Sequence, residues 1–364
     1  MISPQSFDDV FRYYSPKKAP FLHQMRAEVL QQKPFKGLRI AHNIPLVNNT
    51  LMKIACLVAG GAEVSVTCPS FLQAHDSAIA VLHNESIEYV PTPADFAGRS
   101  FDMLLDCNAE LGAVLTPTVG AIEVTQGGAN RYRAMHPNYP VISVDDSLTK
   151  QIETCIGTGE GMARALEMLL PDRINDIQQI GIFGFGKVGK GIAFALKRRQ
   201  KNVTIFEPNT QSREVAKSLS FKTYNVDKHT VYQHLPSLDC IITATGIENC
   251  MSLSFDDEPF RGKILTNVGV TNEWGSKFAA HPLLLNEGWP INFLLDDPTP
   301  MEYIDPVMYA HNLSVFALKS TPPGVYALED SIDTQIVERW KAFHPDLYAG
   351  NEILLKKESD IVTT

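Results

Sequence analysis

The sequence predicts an α/β fold built from two doubly wound parallel-sheet domains. Three observations carry that prediction. Short apolar runs alternate with helical stretches along most of the 364-residue chain, the order that builds parallel sheets covered on both faces. Gly184, Gly186 and Gly189 follow the apolar run Ile180 to Phe183 in G-x-G-x-x-G spacing. Polar loops at 42–47, 106–111, 123–128 and 145–150 each follow an apolar run, and ligands of such sheets bind beyond the carboxyl ends of strands.

The glycine loop belongs to a complete unit. Gly184 permits the tight turn, Gly186 lets backbone approach a pyrophosphate, and Gly189 lets helix and strand pack closely. Lys187 and Val188 open the helix, whose free N–H groups and partial positive charge suit phosphates. A second strand, Val203 to Phe206, ends in Glu207, near the spacing of about 20 residues at which an acid accepts ribose hydroxyls. The unit therefore reads as a Rossmann-type dinucleotide site. The carboxylate favours NAD over NADP; Arg213, a few residues on, keeps NADP as the lesser alternative.

Bulk composition excludes several classes. Net charge is −9, with 44% hydrophobic and 20% charged residues, as in ordinary globular proteins. The longest basic block, Lys197-Arg198-Arg199, closes a helix, where cations suit the dipole; nucleic-acid binding is not expected. No apolar run approaches the ~18 residues of a membrane span, and the first residues carry no basic-then-apolar signal. The six cysteines form no C-x-x-C pair, which suits a reducing cytoplasm and argues against a metal site or disulfide frame.

In chain order, residues 7–35 read as an amphipathic helical segment with Phe11, Phe21, Met25 and Leu30 in the core, closed by Pro34. Leu38 to Ala41 is a strand entering the loop His42-Asn43-Ile44-Pro45. Asn49 to Gly60 is a helix, Ala62 to Thr67 a strand, Pro69 to Leu82 a helix, and Phe101 to Leu105 a strand ending at Asp106. Val114 to Thr125 passes from an apolar stretch to a polar turn, and Val141 to Val144 is a strand running into Asp145-Asp146-Ser147-Leu148-Thr149-Lys150. Ile152 to Leu170 is a long helix carrying Gly157, Gly159 and Gly161. At about 1 kcal/mol each, these glycines predict a hinge loop in its first part. Asp239 to Thr243 is a strand ending in Thr245-Gly246. Lys263 to Asn267 is another, ending in Val268-Gly269. Ser314 to Leu318 is expected as the last strand of the dinucleotide domain. Pro322-Pro323-Gly324 then marks a second crossing, Ser331 to Phe343 is helical, and the tail from Gly350 docks or frays.

Several segments resemble S-adenosylhomocysteine hydrolases, in order and spacing, to near residue 360. They are Lys33 to Ala41, Gly61 to Val64, Asp146 to Lys150, Gly184 to Leu196, Thr243-Ala244-Thr245-Gly246 and Asn267-Val268-Gly269. The resemblance implies a substrate domain of 1–147 plus 324–364 and an NAD domain of 148–323. It places hinges near 146–160 and 318–324, and it implies a homo-oligomer, dimer or tetramer. In that family bound NAD oxidises the 3′-hydroxyl of the adenosine part. The neighbouring C–H becomes acidic, the thiol leaves, water adds and the ketone is reduced again.

By the same resemblance, Lys150 falls beside the hydroxyl being oxidised and Glu110 supplies a carboxylate. Asp106, Glu123, Thr125 and His42 are expected near the substrate. Gly184, Gly186, Lys187, Val188, Gly189, Glu207, Thr125, Gln126, Thr243, Thr245, Gly246, Asn267, Val268, Gly269 and Asn312 are expected at the cofactor. The family's histidines are replaced by Pro45, Val270 and, at the second hinge, Pro323. A ribose-binding glutamate is Val124, an aspartate and an asparagine after the lysine are Thr154 and Cys155, and Lys187 stands where the family has an acid. The likeness stops before the family's long C-terminal tail. Histidine is the natural acid/base near neutral pH, and proline cannot replace it.

The expectation is an NAD-dependent enzyme that oxidises a hydroxyl next to an acidifiable C–H on a small molecule, with a diverged substrate or altered elimination. The alternatives are a non-catalytic NAD- or nucleoside-binding regulator and a genuine adenosylhomocysteine hydrolase. A 2-hydroxy-acid dehydrogenase would need an arginine and a histidine at the nicotinamide, and nothing places Arg131, Arg133 or Arg261 there.

Overall fold

A computed structural model describes residues 4–356. The chain divides into two compact units. The first runs to Lys150 and resumes at Met301–Tyr348; the second is Gln151–Pro300 and resumes at Ala349. The first unit holds strands β1 (Arg39–Asn43), β2 (Glu63–Thr67), β3 (Glu88–Tyr89), β4 (Met103–Asp106), β5 (Gly120–Glu123) and β6 (Pro140–Ser143). The second holds β7 (Gln179–Phe183), β8 (Asn202–Phe206), β9 (Lys222–Tyr224), β10 (Cys240–Thr243) and β11 (Ile264–Asn267); β12 (Gly324–Ala327) returns to the first.

Both sheets are parallel throughout. The first has the order β12-β6-β5-β4-β1-β2-β3 and the second β11-β10-β7-β8-β9. Each order reverses once, between β1 and β4 and between β7 and β10, and those reversals open the crevices where such sheets hold ligands. Ile40 lies opposite both Val64 and Met103, and Ile241 lies opposite Gly181 and Leu265. Every residue of β4, β5, β6, β10 and β11 is buried, which is why these strands read as continuous apolar runs rather than alternating ones.

The elements depart from the sequence reading in identifiable places. The first helical segment is two helices, Phe7–Tyr13 and Pro20–Gln32, because Pro16 and Pro20 interrupt the helical N–H series. Phe11, Phe21 and Met25 are buried, but Leu30 is 54% exposed. The helix expected from Pro69 begins only at Asp76. The three glycines after Ile152 do not loosen the chain: residues 152–157 form a π-helical turn that continues into the helix Thr158–Leu169. Glycine is needed there for close approach. A Cβ on Gly159 would stand 2.5 Å from the Gly191 carbonyl oxygen, and one on Gly191 would stand 1.7 Å from that of Cys155.

The segment expected as a strand from Ser314 is a short helix, Val315–Leu318, with Ser314 at its N-cap position. The last strand is β12, which pairs with β6 at the sheet edge, where the preceding prolines cost no ladder bond. Accordingly 301–323 lies with the first unit, and Pro323 does not stand at a crossing. The helix Met301–Leu313 packs on the helices Pro20–Gln32 and Leu51–Ala59. Its Asp305 accepts from the N–H groups of Phe21 and Leu22 at 2.9 and 3.0 Å. The tail segment from Ala349 joins the second unit: Asn351 accepts from Arg198 at 2.6 Å, and Leu354 and Leu355 are buried. Among the described residues, no helix is long and apolar enough to cross a membrane.

Gly191→Ala is expected to destabilise the second unit by about 3 kcal/mol, the upper range for overpacking a tight contact. Thermal unfolding followed by circular dichroism tests this; an unchanged midpoint would show that the two helices separate easily.

Candidate functional site

The second unit's site grows out of the β7 turn. The turn is left-handed at Gly184, with φ +97°, and a Cβ there would meet the Ala244 carbonyl oxygen at 2.5 Å. A Cβ on Gly189 would stand 2.1 Å from the Gly184 carbonyl oxygen, so the helix Lys187–Arg198 can seat on the strand only with glycine at that position. Gly186 is different: a Cβ there would meet nothing within 4 Å. The space in front of it is open, at the start of a 12-residue helix, which is the cradle a pyrophosphate requires. Lys187 and Val188 form the first positions of that helix.

At the end of the neighbouring strand, the Glu207 carboxylate accepts from Phe185 N–H at 2.8 Å and from Asn209 N–H at 2.8 Å. The acid is thereby tied to the glycine turn itself. Arg213 donates to the Glu207 and Pro208 carbonyl oxygens, each at 2.7 Å, and to Thr210. The residues present fit a dinucleotide.

Across the crevice, β10 and β11 end in turns braced from inside. Asn267 donates to the carbonyl oxygens of Gly269, Thr271 and Gly288 and accepts from Thr243 and from Gly269 N–H. Its amide group holds the β11 turn, and Val268 is packed in the core. Thr245 and Gly246 direct their N–H groups at Glu273, a fully buried acid that sequence reasoning missed. Burial pushes the Glu273 carboxyl up, and these hydrogen bonds pull it back. Asn292 was also missed; it is 3% exposed, and its Oδ1 has no partner. Asn312, expected at the cofactor, lies buried in the first unit, where it donates to the Lys53 carbonyl oxygen at 3.0 Å.

In the first unit, Lys150 is buried at the end of a short helical turn. Asp333, distant in sequence, holds that turn: it accepts from Leu148 N–H at 2.7 Å, Thr149 N–H at 2.8 Å and the Thr149 hydroxyl at 2.6 Å. Lys150 N–H donates to Ser147 Oγ at 3.0 Å. The Lys150 charge is felt at Cys107, the residue after β4. Burial drives the Cys107 thiol well up, Glu123, Asp106 and Glu110 add to the rise, and Lys150 opposes it. The fold thus gathers Lys150 and three carboxylates around one strand end.

The three carboxylates differ in what they can do. Asp106 accepts from Asn43, Tyr132 and the N–H groups of Cys107, Leu111 and Gly112. Glu123 accepts from the N–H groups of Asn108, Ala109, Val124 and Thr125 and from the Thr125 hydroxyl. Burial, then the charge of Asp106, pushes Glu123 up to about 8. Both acids are fully buried, and the loops they hold take up their oxygens. Thr125 is likewise consumed, capping the helix Gln126–Met135 through Gly128 N–H and accepting from Asn108 N–H. Only Glu110 faces outward. It is half-buried, accepts from Ser70 N–H and Oγ at 2.9 and 2.6 Å, and borders a surface groove of about 630 Å³ with Arg131, Val114 and Met135.

His42 does not reach the loop after β1. It is fully buried, with Nε2 2.9 Å from the Lys53 amine, which is itself fully buried, and its Nδ1 has no partner. His311 is buried against the Ile122 carbonyl oxygen at 3.0 Å. Burial forces both imidazoles and the Lys53 amine well below their usual ranges. Lys53 had a signal in the sequence: it is the single charge in the apolar run Leu51 to Ala59. Five of the six free cysteines are buried, and burial pushes Cys155 up to about 12. Among the described residues, no His, Cys, Asp or Glu cluster could hold a metal ion.

No family model matches the sequence. Curated relatives do. S-inosyl-L-homocysteine hydrolase of Methanopyrus kandleri is 25% identical over 375 residues, covering 88% of this chain and 86% of that protein. Adenosylhomocysteinase of Pyrococcus abyssi is 25% identical over 372 residues, covering 87% and 86%. This chain is a divergent relative of those enzymes. A second S-inosyl-L-homocysteine hydrolase, of Methanothermobacter thermautotrophicus, is 26% identical and covers 87% of each chain. Among solved structures, a dipicolinate synthase chain of Bacillus halodurans matches with a TM-score of 0.44 at 10% identity, covering 78% of this chain and 98% of that one. A transhydrogenase of Sinorhizobium meliloti gives 0.38 at 13% identity, covering 77% and 94%.

The buried Lys53 yields a stability prediction with a definite sign. Its folded-state pKa lies far below the value near 10.4 of an unfolded lysine. Between the two, the unfolded chain binds one more proton, so this group makes stability rise with pH by about 1.4 kcal/mol per unit. Lys53→Met is expected to be more stable than the parent at pH 7, with the gap closing as pH rises towards 10. Denaturant titrations at pH 7, 8 and 9 measure it; a gap independent of pH would mean that Lys53 keeps its usual basicity.

Proposed function

We propose that this protein is an NAD-dependent enzyme that oxidises a hydroxyl next to an acidifiable C–H on a small molecule. Its substrate or elimination chemistry has diverged from that of the homocysteine-nucleoside hydrolases it resembles. The observation that carries the reading is the open cradle at Gly186, backed by the Glu207 carboxylate bonded to the same turn. It occurs in a chain that aligns with those hydrolases over nearly nine-tenths of its length.

Gly184, Gly186, Gly189 and the start of the helix Lys187–Arg198 would hold the pyrophosphate, and Glu207 the adenosine ribose hydroxyls. A 2′-phosphate would meet the Glu207 charge. Arg213, the cation that would have to receive that phosphate, is spent on the Glu207 and Pro208 carbonyl oxygens. Both features support NAD rather than NADP as the cofactor. When bound, it supplies a hydride acceptor for the carbon that bears the substrate hydroxyl.

The chain's own contribution is to the proton and to charge. Lys150, fixed by Asp333 and Ser147, serves to hold or accept the hydroxyl proton as the carbonyl forms. Pro45 and Val270 stand where the resemblance places histidines, and neither side chain transfers a proton. His42 does not compensate, since it is buried against Lys53. The leaving-group and water steps of the hydrolases therefore lack their acid/base groups here, which supports altered elimination or a stop at the ketone.

Two measurements test this. Full-length protein loaded with NAD is offered S-adenosylhomocysteine, S-inosylhomocysteine and related nucleosides. Absorbance in the NADH band and thiol release are followed together. The expected outcome is cofactor reduction by at least one nucleoside, without thiol release at a hydrolase-like rate from either thioether. Rapid release of homocysteine would make the chain an ordinary member of the hydrolase group, and no reduction by any hydroxyl compound would favour a binding protein. With a substrate that reduces the cofactor, Lys150→Ala is expected to slow that step by about 100-fold or more, leaving NAD affinity unchanged.

A further inference from the structure

Residues 272–274 do more than continue the chain after β11. The Glu273 carboxylate accepts from Thr245 N–H at 2.9 Å, Gly246 N–H at 2.8 Å and the Thr245 hydroxyl at 2.7 Å. The backbone around it is clamped to the segment after β10. Asn249 N–H donates to the Asn272 carbonyl oxygen at 2.9 Å, Met251 N–H to that of Glu273 at 3.0 Å, and Ser252 N–H to that of Trp274 at 3.0 Å. Trp274 Nε1 anchors the far side on the Thr266 carbonyl oxygen at 3.1 Å. The space the carboxylate fills is kept clear by sequence: a Cβ on Gly269 would stand 2.1 Å from Glu273 Oε1.

The turn held this way is the wall of the cradle. Its Ala244 carbonyl oxygen is the atom that a Cβ on Gly184 would strike at 2.5 Å, so turn 244–246 and the phosphate turn are in direct register. A turn at a parallel strand end leaves N–H groups without ladder partners. Unless something inside the protein takes them, they swing towards the crevice. Glu273 takes two of them and the Thr245 hydroxyl, which fixes the turn's direction and leaves the crevice to the ligand.

We propose that Glu273 is a positioning residue of the dinucleotide site, setting turn 244–246 against Gly184 and thereby shaping the nicotinamide half of the cradle. This rests on the dinucleotide reading of 184–189. Doubly wound folds place adenosine by the acid of the second strand and nicotinamide across the switch point. Glu273 should therefore matter for one half of the cofactor and not for the other. A role limited to stability would weaken both halves together or neither.

The test is a calorimetric titration of the full-length protein with NAD and, separately, with AMP. Glu273→Gln keeps the shape but puts an NH2 group against N–H donors. Relative to the parent, it is expected to lose about tenfold or more in NAD affinity and less than about twofold in AMP affinity. Thr245→Val, which removes one donor and keeps the acid, should show the same pattern more weakly and stands in if the glutamine variant does not fold. Asp305→Asn, which perturbs a helix cap in the first unit, is the destabilised control and should change neither affinity. Equal losses for NAD and AMP, or none for either, would overturn the assignment. A parent protein that binds neither nucleotide would instead sink the dinucleotide reading, and the assignment with it.

Discussion

Where a chain leaves a parallel sheet, its backbone N–H groups lose their ladder partners, and a buried donor without an acceptor costs about 1–3 kcal/mol. This protein meets that constraint with buried carboxylates. Among the described residues, Asp106, Glu123, Glu207, Glu273, Asp305 and Asp333 each accept from at least two backbone N–H groups. Most strand-end loops that bound a candidate site lean on one of them; the β11 turn leans instead on the Asn267 amide. Asp106 and Glu123 shape the loops after β4 and β5, Glu207 ties β8 to the glycine turn, Glu273 braces the turn after β10, and Asp333 holds the turn that carries Lys150.

The arrangement works against burial. Loss of water raises a carboxyl's pKa, and the donated hydrogen bonds lower it again. The balance differs between sites. Glu123 and Asp305 are pushed up to about 8, and Glu123 carries the added repulsion of Asp106. A neutral hydrophobic residue could fill any of these positions by volume, but it would strand two or more N–H groups. The acids therefore fix loop geometry rather than perform chemistry, which explains how so acidic a set of strand ends leaves so few carboxylates facing outward.

The two units are built differently around their strand ends. The second keeps the geometry of a dinucleotide cradle: the left-handed turn at Gly184, the open face of Gly186, the close seat of Gly189 and the tethered Glu207. The first keeps the lysine turn but carries Pro45 in the loop after β1. Its polar interior is also unusual, with the Lys53 amine facing His42 in place of an apolar contact. Departures from the resemblance occur in both units, at Pro45 in the first and at Lys187 and Val270 in the second, but they leave the glycine geometry of the β7 turn intact.

Sequence alone was enough for the parallel sheets and for the glycine turn at 184–189 with Glu207 at the next strand end, because these depend on local patterns: apolar runs, fixed spacing and residues adjacent in the chain. It was not enough for Glu273, Asp333 or Lys53, whose partners lie 28, 184 and 11 residues away. Nor did it show that the side chains of Asp106, Glu123 and Thr125 are taken up by their own loops, since a polar residue at a strand end looks the same whether it points outwards or under its own loop. The placement of 301–323 with the first unit, and of the tail with the second, was decided by packing across long sequence separations. Short-range periodicity determines which segments become strands and helices. Only the folded chain determines which buried donors need an acceptor, and so which carboxylates are left for chemistry.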